Sequence, residues 1–176
     1  MYETVFAISL GLSWELILFT MISIILLVFG IIDFRRYRKC EIIRFSIFKS
    51  LSIIPSILMG TLGISILAAI CFIFFSNYKL LSIYKNDKYR VVEGEVFVLH
   101  EQSEAGHDKG DIIKIGNDIF VVDDFVITNA YTQTIAHGGL LREGTYVRVY
   151  YYGGKILRID IRKEDLKNQE SLTGIN

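Results

Sequence analysis

Two long runs without a single charged residue set the terms on which this chain can fold. Leu16 to Ile32 reads LILFTMISIILLVFGII, seventeen residues, and Ile53 to Phe75 reads IIPSILMGTLGISILAAICFIFF, twenty-three. As helices they would measure about 25 Å and about 34 Å, against a bilayer hydrocarbon core of about 30 Å. Extending the first run back to Leu12 makes it long enough to cross. Trp14 and Glu15 then fall at the interface, where an indole is favoured and a carboxylate still reaches water. A soluble fold is disfavoured, because roughly a hundred remaining residues would have to surround two helices that are apolar on every side. A cleaved signal peptide fits poorly: MYETVFAISL offers no Lys or Arg, and no small-x-small site precedes Arg35. With 52% hydrophobic and 22% charged residues, the chain is also too apolar to be disordered.

The 19 Lys and Arg cancel the 19 Asp and Glu, so partners must be read from where the charge lies. Arg35, Arg36, Arg38, Lys39, Arg44 and Lys49 stand between the apolar runs, none precedes the first, and Lys79, Lys85, Lys88 and Arg90 follow the second. By the positive-inside rule the loop is cytoplasmic and both flanks are extracytoplasmic. Within the loop, Arg35, Arg36, Arg38 and Lys39 are candidate contacts for anionic lipid head groups, although a topology signal alone accounts for them. In the second run Ser56 and Gly60 form one small-residue strip, and Thr61, Ser65 and Ala69 another. Such strips let a second helix approach closely, either the first helix of the same chain or one from another copy. Cys40 and Cys71 are the only cysteines, so the C-terminal half has neither a disulfide framework nor a cysteine metal site.

From Tyr89 the pattern changes to period two. In YRVVEGEVFVLH, Val92, Gly94, Val96 and Val98 share one face while Glu93 and Glu95 take the other, and Gly94 suggests a bend. DIIKI and IFVV flank Gly116-Asn117-Asp118, and TYVRVYYY and KILRIDIR flank Gly153-Gly154, so each pair reads as a hairpin. The expected fold class is therefore a membrane α-helical hairpin plus an all-β part: two transmembrane helices followed by a five-stranded OB-like or SH3-like small barrel. An open sheet of four to five strands is the alternative. The expected core is Val92, Val96, Val98, Ile113, Ile115, Val147, Val149, Leu157, Ile159 and Ile161. The expected organisation is an N-terminal segment 1–11, helices at 12–34 and 51–76, the basic loop 35–50, a connector 77–88, the β domain 89–162 and a polar tail 163–176. A segment beginning near Lys85 is expected to fold alone.

The order VVEG, GH, FVIT, then His137-Gly138-Gly139 with Arg142-Glu143-Gly144, then VRVYYYGGKILRIDI, resembles an uncharacterised group of bacterial membrane-anchored proteins. The similarity spans Tyr89 to Arg162. It implies a small OB-like β-barrel domain anchored in the bacterial inner membrane, and it carries no catalytic residue over to this chain.

The residues themselves offer little catalytic chemistry. His107-Asp108 and the pair Asp123-Asp124 could combine with His137 into two imidazoles and one carboxylate, which would suit zinc or iron, but no HExxH or CxxC spacing accompanies them, so neither a metal nor another cofactor is expected. His137, Gly138, Gly139 and Gly144 read as turn residues, since no GxSxG nucleophile exists to use an oxyanion loop. Tyr146, Arg148 and Tyr150 would face outward on one strand, a candidate surface for a glycan or lipid head group. Ordinary cross-strand pairing explains the same pattern. The β segment's net negative charge argues against nucleic acid. The expected function is a non-enzymatic, membrane-anchored interaction module whose partners are the bilayer and either a protein or another copy. A metal-dependent enzyme using His107 and His137 is the remote alternative.

Overall fold

The computed structural model describes residues 1–9, 11, 14–39, 46–104 and 109–166. Two helices, α1 (Trp14–Lys39) and α2 (Ser46–Lys85), separate a short strand β1 (Tyr2–Ala7) from the strands β2 (Arg90–His100), β3 (Asp111–Ile115), β4 (Asp118–Val122), β5 (Tyr146–Tyr152) and β6 (Lys155–Arg162). The described residues fall into two compact units. Gly11–Phe75 forms one, and Met1–Leu10 with Ser76–Asn176 forms the other.

The first unit is a helix pair with an apolar exterior. Both helices are long enough and apolar enough to cross a membrane, and only 11% and 6% of their most apolar stretches is buried. Phe72, Phe75, Leu58 and Ile64 stand 76%, 69%, 65% and 60% exposed. In a soluble protein these would be core positions, so their exposure points to lipid as the surrounding medium. The two helices meet through their smallest residues. A Cβ on Gly30 would lie 3.1 Å from the Gly60 nitrogen and 3.2 Å from the Ser56 carbonyl, and one on Gly63 would lie 2.9 Å from the Leu27 side chain. The Ser56–Gly60 strip thus faces α1, whereas Thr61, Ser65 and Ala69 are exposed. The hydroxyls of Thr61 and Ser65 donate back to the helix carbonyls of Leu58 and Thr61. Gly30→Leu should force the pair apart and cost about 2 kcal/mol of helix-pair stability, measured by thermal unfolding in mild detergent.

Both helices outrun the apolar segments. Arg35 and Arg36 ride exposed on α1, whose backbone also takes in Arg38 and Lys39; the side chains of those two lie outside the described set. The connector is helical too. Nothing in Lys79–Lys85 breaks a helix, and α2 ends only where Asp87 adopts φ 53°. There Lys88 N donates to Ile83 O and Asp87 N to Tyr84 O, a Schellman cap with aspartate in the usual glycine position.

The second unit corrects the expected barrel. Six strands, not five, form one antiparallel sheet in the order β1-β6-β5-β2-β3-β4. The edge strands β1 and β4 do not pair, so the sheet is open and neither an OB-like nor an SH3-like barrel is formed. The OB-like barrel implied by the bacterial resemblance is overturned with it. Strand β2 bends at the expected place: Arg90–Glu95 pair with β5, and Val96–His100 pair with β3. Gly94 permits the change, since a Cβ there would press within 3.3 Å of the Gly116 nitrogen. The bend folds the sheet over its core without joining its ends.

That core holds Val96, Ile113, Ile115, Val147, Val149, Ile159 and Ile161, with Val92 and Val98 only partly buried against them. Phe120, Val122, Tyr131 and Leu141 complete it. A bulge after Tyr150 shifts the β5–β6 register and buries Ile156, which strict alternation would have turned outward. It also sends Leu157 into a second cluster with Ile8, Leu80, Leu81 and Ala130. The expected boundary near Lys85 therefore cuts through packing: the end of α2 and the chain's first residues both belong to this unit. Because β1 precedes α1 and β6 follows α2, their pairing brings the two flanks of the helix pair into one sheet, as two crossings of a membrane would require.

Candidate functional site

The face carried by β1, β6, β5 and β2 is a lattice of rings and charges. Alternation along β5 turns Val147 and Val149 inward and leaves Tyr146, Arg148 and Tyr150 on the other side. Arg148 Nε donates to Glu93 Oε2 at 2.8 Å, its guanidinium lies 4.4 Å from the Tyr2 ring centre, and the Tyr2 hydroxyl also donates to Glu93. Arg162 covers the Tyr146 ring at 4.2 Å and Arg158 covers Tyr150 at 4.9 Å. Tyr150 meets Tyr89 edge-on at 5.3 Å. Arg158 also donates twice to Asp160, at 2.8 and 2.9 Å, and to Thr4 Oγ1, while Thr4 donates to Asp160 at 2.8 Å.

Most of these contacts join neighbouring strands; Tyr2 on β1 reaches past β6 to Arg148 on β5 and Glu93 on β2, Tyr89 precedes β2, and the Arg158–Asp160 pair lies within β6. Exposed ion pairs and cation–ring contacts contribute about 0.2 to 1 kcal/mol each, so the lattice fixes register more than it adds stability. Its electrostatics follow from the pairing. Hydrogen bonds from Tyr2 and Arg148 hold the Glu93 carboxyl below its ordinary value. Burial pushes Asp160 up, but the hydrogen bonds from Arg158 and Thr4 outweigh it and leave the carboxyl low. Tyr146, Arg148 and Tyr150 thus do come together on one face, and all three have partners within the sheet.

The loop from Asp123 to Gly144 holds the other predicted residues. His137 ends a 3-10 turn, Ile135–His137, and Gly138 follows in the left-handed region at φ 85°. Gly139 has no room for a side chain: a Cβ would sit 2.6 Å from the Gln133 carbonyl. Gly144, at φ 76°, donates its N–H to Val96 O at the bend of β2. His137 Nδ1 lies 2.5 Å from Asp124 Oδ2 and 3.0 Å from Thr134 Oγ1, which itself donates to Asp124 at 2.6 Å. A hydroxyl, an imidazole and a carboxylate are adjacent here, but one ring nitrogen meets both partners. Thr134 is fully buried, with its proton on Asp124. As arranged, the trio pins a turn. It does not present a nucleophile.

Asp111 was not singled out in the sequence, yet it organises this region. Fully buried at the start of β3, it accepts from Gln102 N at 2.7 Å and Ile135 N at 2.6 Å, tying two loops to the sheet. The only hint in the sequence is an aspartate placed directly before the apolar run of a strand. Tyr131, whose hydroxyl accepts from Leu140 N at 2.7 Å, is pushed up to about 12 by burial. Among the described residues no group of three His, Cys, Asp or Glu side chains is placed to hold a metal. His107 lies outside the described residues.

Asp124 makes the loop acid-sensitive. Burial raises its carboxyl, but the Thr134 hydrogen bonds and the charge of His137 outweigh burial and bring it below its ordinary value. A carboxyl that is lower in the folded state stabilises the fold above its unfolded value, and that stability is lost as pH falls through the folded one. Asp124, Asp160 and Glu93 act in the same direction. Thermal stability should therefore fall as pH drops below about 4, and Asp124→Asn should flatten that slope in a series of melting curves. No family model matches the chain, and no similar protein was found among curated proteins or solved structures.

Proposed function

We propose that this chain is a membrane-anchored, non-enzymatic interaction module that holds an open β domain beside the bilayer. The observation that carries the reading is the helix pair's apolar exterior, left bare although Ser23, Gly30, Ser56 and Gly63 are buried between the helices. The polar groups described above engage one another within and across strands, which suits a scaffold better than a reaction centre. Six basic residues between the two apolar runs against four just after the second favour a cytoplasmic loop and an extracytoplasmic β domain. Alkaline carbonate washing of membranes tests the anchor: the protein should stay in the pellet, and release into the supernatant would overturn the reading. Mild-detergent sizing and cross-linking in native membranes test the module, which should migrate as a complex with itself or another protein.

A second reading assigns ligand recognition to Tyr146, Arg148 and Tyr150. It is favoured by the continuous run of rings and guanidinium groups across β1, β5 and β6. Arg148→Ala and Tyr150→Phe should then weaken binding of a glycan or head-group probe while leaving the melting temperature within a few degrees of the native value.

A further inference from the structure

We infer that the loop tip Phe125-Val126-Ile127 inserts into the interfacial layer of the membrane that carries the helices, giving the β domain an anchoring point of its own. The inference rests on the proposed membrane-spanning role of the helices. These three consecutive apolar side chains are 67%, 46% and 70% exposed at the end of a loop, whereas the other exposed apolar side chains of the domain, such as Phe97, Leu99, Ile119 and Val121, lie along the strands β2 and β4. The loop is held in shape. Asp123 accepts from Phe125 N at 2.9 Å, and Ala130 N donates to Thr128 Oγ1 at 3.3 Å.

Its position comes from Asn129. The Asn129 N–H donates to Asn77 Oδ1 at 3.0 Å, and its side-chain amide donates to the Ser9 carbonyl at 2.8 Å. Asn77 follows Phe75, the last residue of the second apolar run, by two residues, a helical rise of about 3 Å. Ser9 lies a few residues before α1 begins at Trp14. Asn129 is thus bonded to both points at which the chain meets its apolar helices, and Ile127 is two residues away, within about 7 Å of extended chain. The polar layer outside the hydrocarbon is about 5 to 7 Å deep on each side, so the tip is within reach of it. Apolar side chains there lose contact with water at little cost, because the helices have already brought the domain to the surface. No residue of the tip is charged to oppose entry.

The test uses full-length protein in nanodiscs of phosphatidylcholine and phosphatidylglycerol, with Trp14→Phe as the background so that one introduced tryptophan reports at a time. Phe125→Trp, with Ile127→Trp as a second reporter, should emit at shorter wavelength than in water and lose about half its intensity to a lipid spin-labelled near the head group. Glu3→Trp, six residues before Ser9 and therefore up to about 20 Å from it along the chain, should emit as in water and escape quenching. Phe72→Trp on α2 separates the two claims. If it is quenched while both loop reporters stay water-exposed, the loop inference is wrong and the anchor stands. If Phe72→Trp itself escapes every lipid quencher, the membrane-spanning reading fails. Loop emission at shorter wavelength without lipid quenching would mean that protein covers the tip, which also overturns the inference.

Discussion

A chain lacking residues 1–9 should fail to hold a folded β domain. The loss removes β1 from the edge of β6, together with Val5 and Phe6 from the main core and Ile8 from the second cluster. At about 1.5 to 3 kcal/mol per buried side chain the cost is about 5 kcal/mol, comparable with the whole stability of a small domain. A soluble segment beginning at Lys85 should fare worse still, because Leu80 and Leu81 go as well and leave the fully buried Leu157 facing water. Both truncations should show poor amide dispersion and no cooperative melting. Joining residues 1–9 through a flexible linker to a segment starting at Ser76 should restore a transition. A cooperative melt from the Lys85 segment alone would show that β1 and the end of α2 are dispensable.

Asp111→Ala should be the most damaging polar substitution in the β domain. It removes no large side chain, but it leaves the N–H groups of Gln102 and Ile135 without their acceptor, one of them fully out of water's reach. An orphaned buried donor costs about 1 to 3 kcal/mol, and a charged acceptor makes the lost bonds stronger than neutral ones, so the expected loss is about 3 to 5 kcal/mol. Asp111→Asn keeps one carbonyl oxygen and should lose roughly half as much. Hydrogen exchange in detergent would localise the effect. Protection should drop at Gln102 and through Ile135–His137 before it drops in β5. A change below about 1 kcal/mol in Asp111→Ala would mean that water replaces the carboxylate, and that the loop is not tied down as described.

What was legible in the sequence was local. Gly153-Gly154 turns where both residues take positive φ, and Val147, Val149, Ile159 and Ile161 point inward because nothing disturbs the alternation between them. The two long apolar helices were legible from length and absence of charge, and the Ser56–Gly60 strip from its spacing. Long-range facts were not. Tyr2–Ala7 reads as a weak strand, with Glu3 and Thr4 both exposed, and its partner lies across the whole helix pair. Whether a sheet closes depends on two edges meeting, which no window of sequence contains. A single bulge exchanged the expected roles of Ile156 and Leu157. The turn at His137-Gly138-Gly139 could be anticipated from its glycines, and the sequence pairs Asp124 with His137 only as a candidate metal ligand, whereas Asp111 looks like any other acidic residue until the loop is folded around it.

The sharing of one sheet by segments on either side of the two apolar helices, and the proposal that those helices cross a membrane, are best tested by compartment. Single cysteines at Glu3, Ser46 and Ser103, in a chain with Cys40 and Cys71 replaced, can be labelled in intact cells with a reagent that does not cross the membrane. Glu3→Cys and Ser103→Cys should react alike and Ser46→Cys oppositely, with the first pair labelled from outside if the basic loop is cytoplasmic. Reaction of Glu3→Cys and Ser103→Cys from opposite sides, or of all three from the same side, would contradict a two-crossing chain whose flanks fold together.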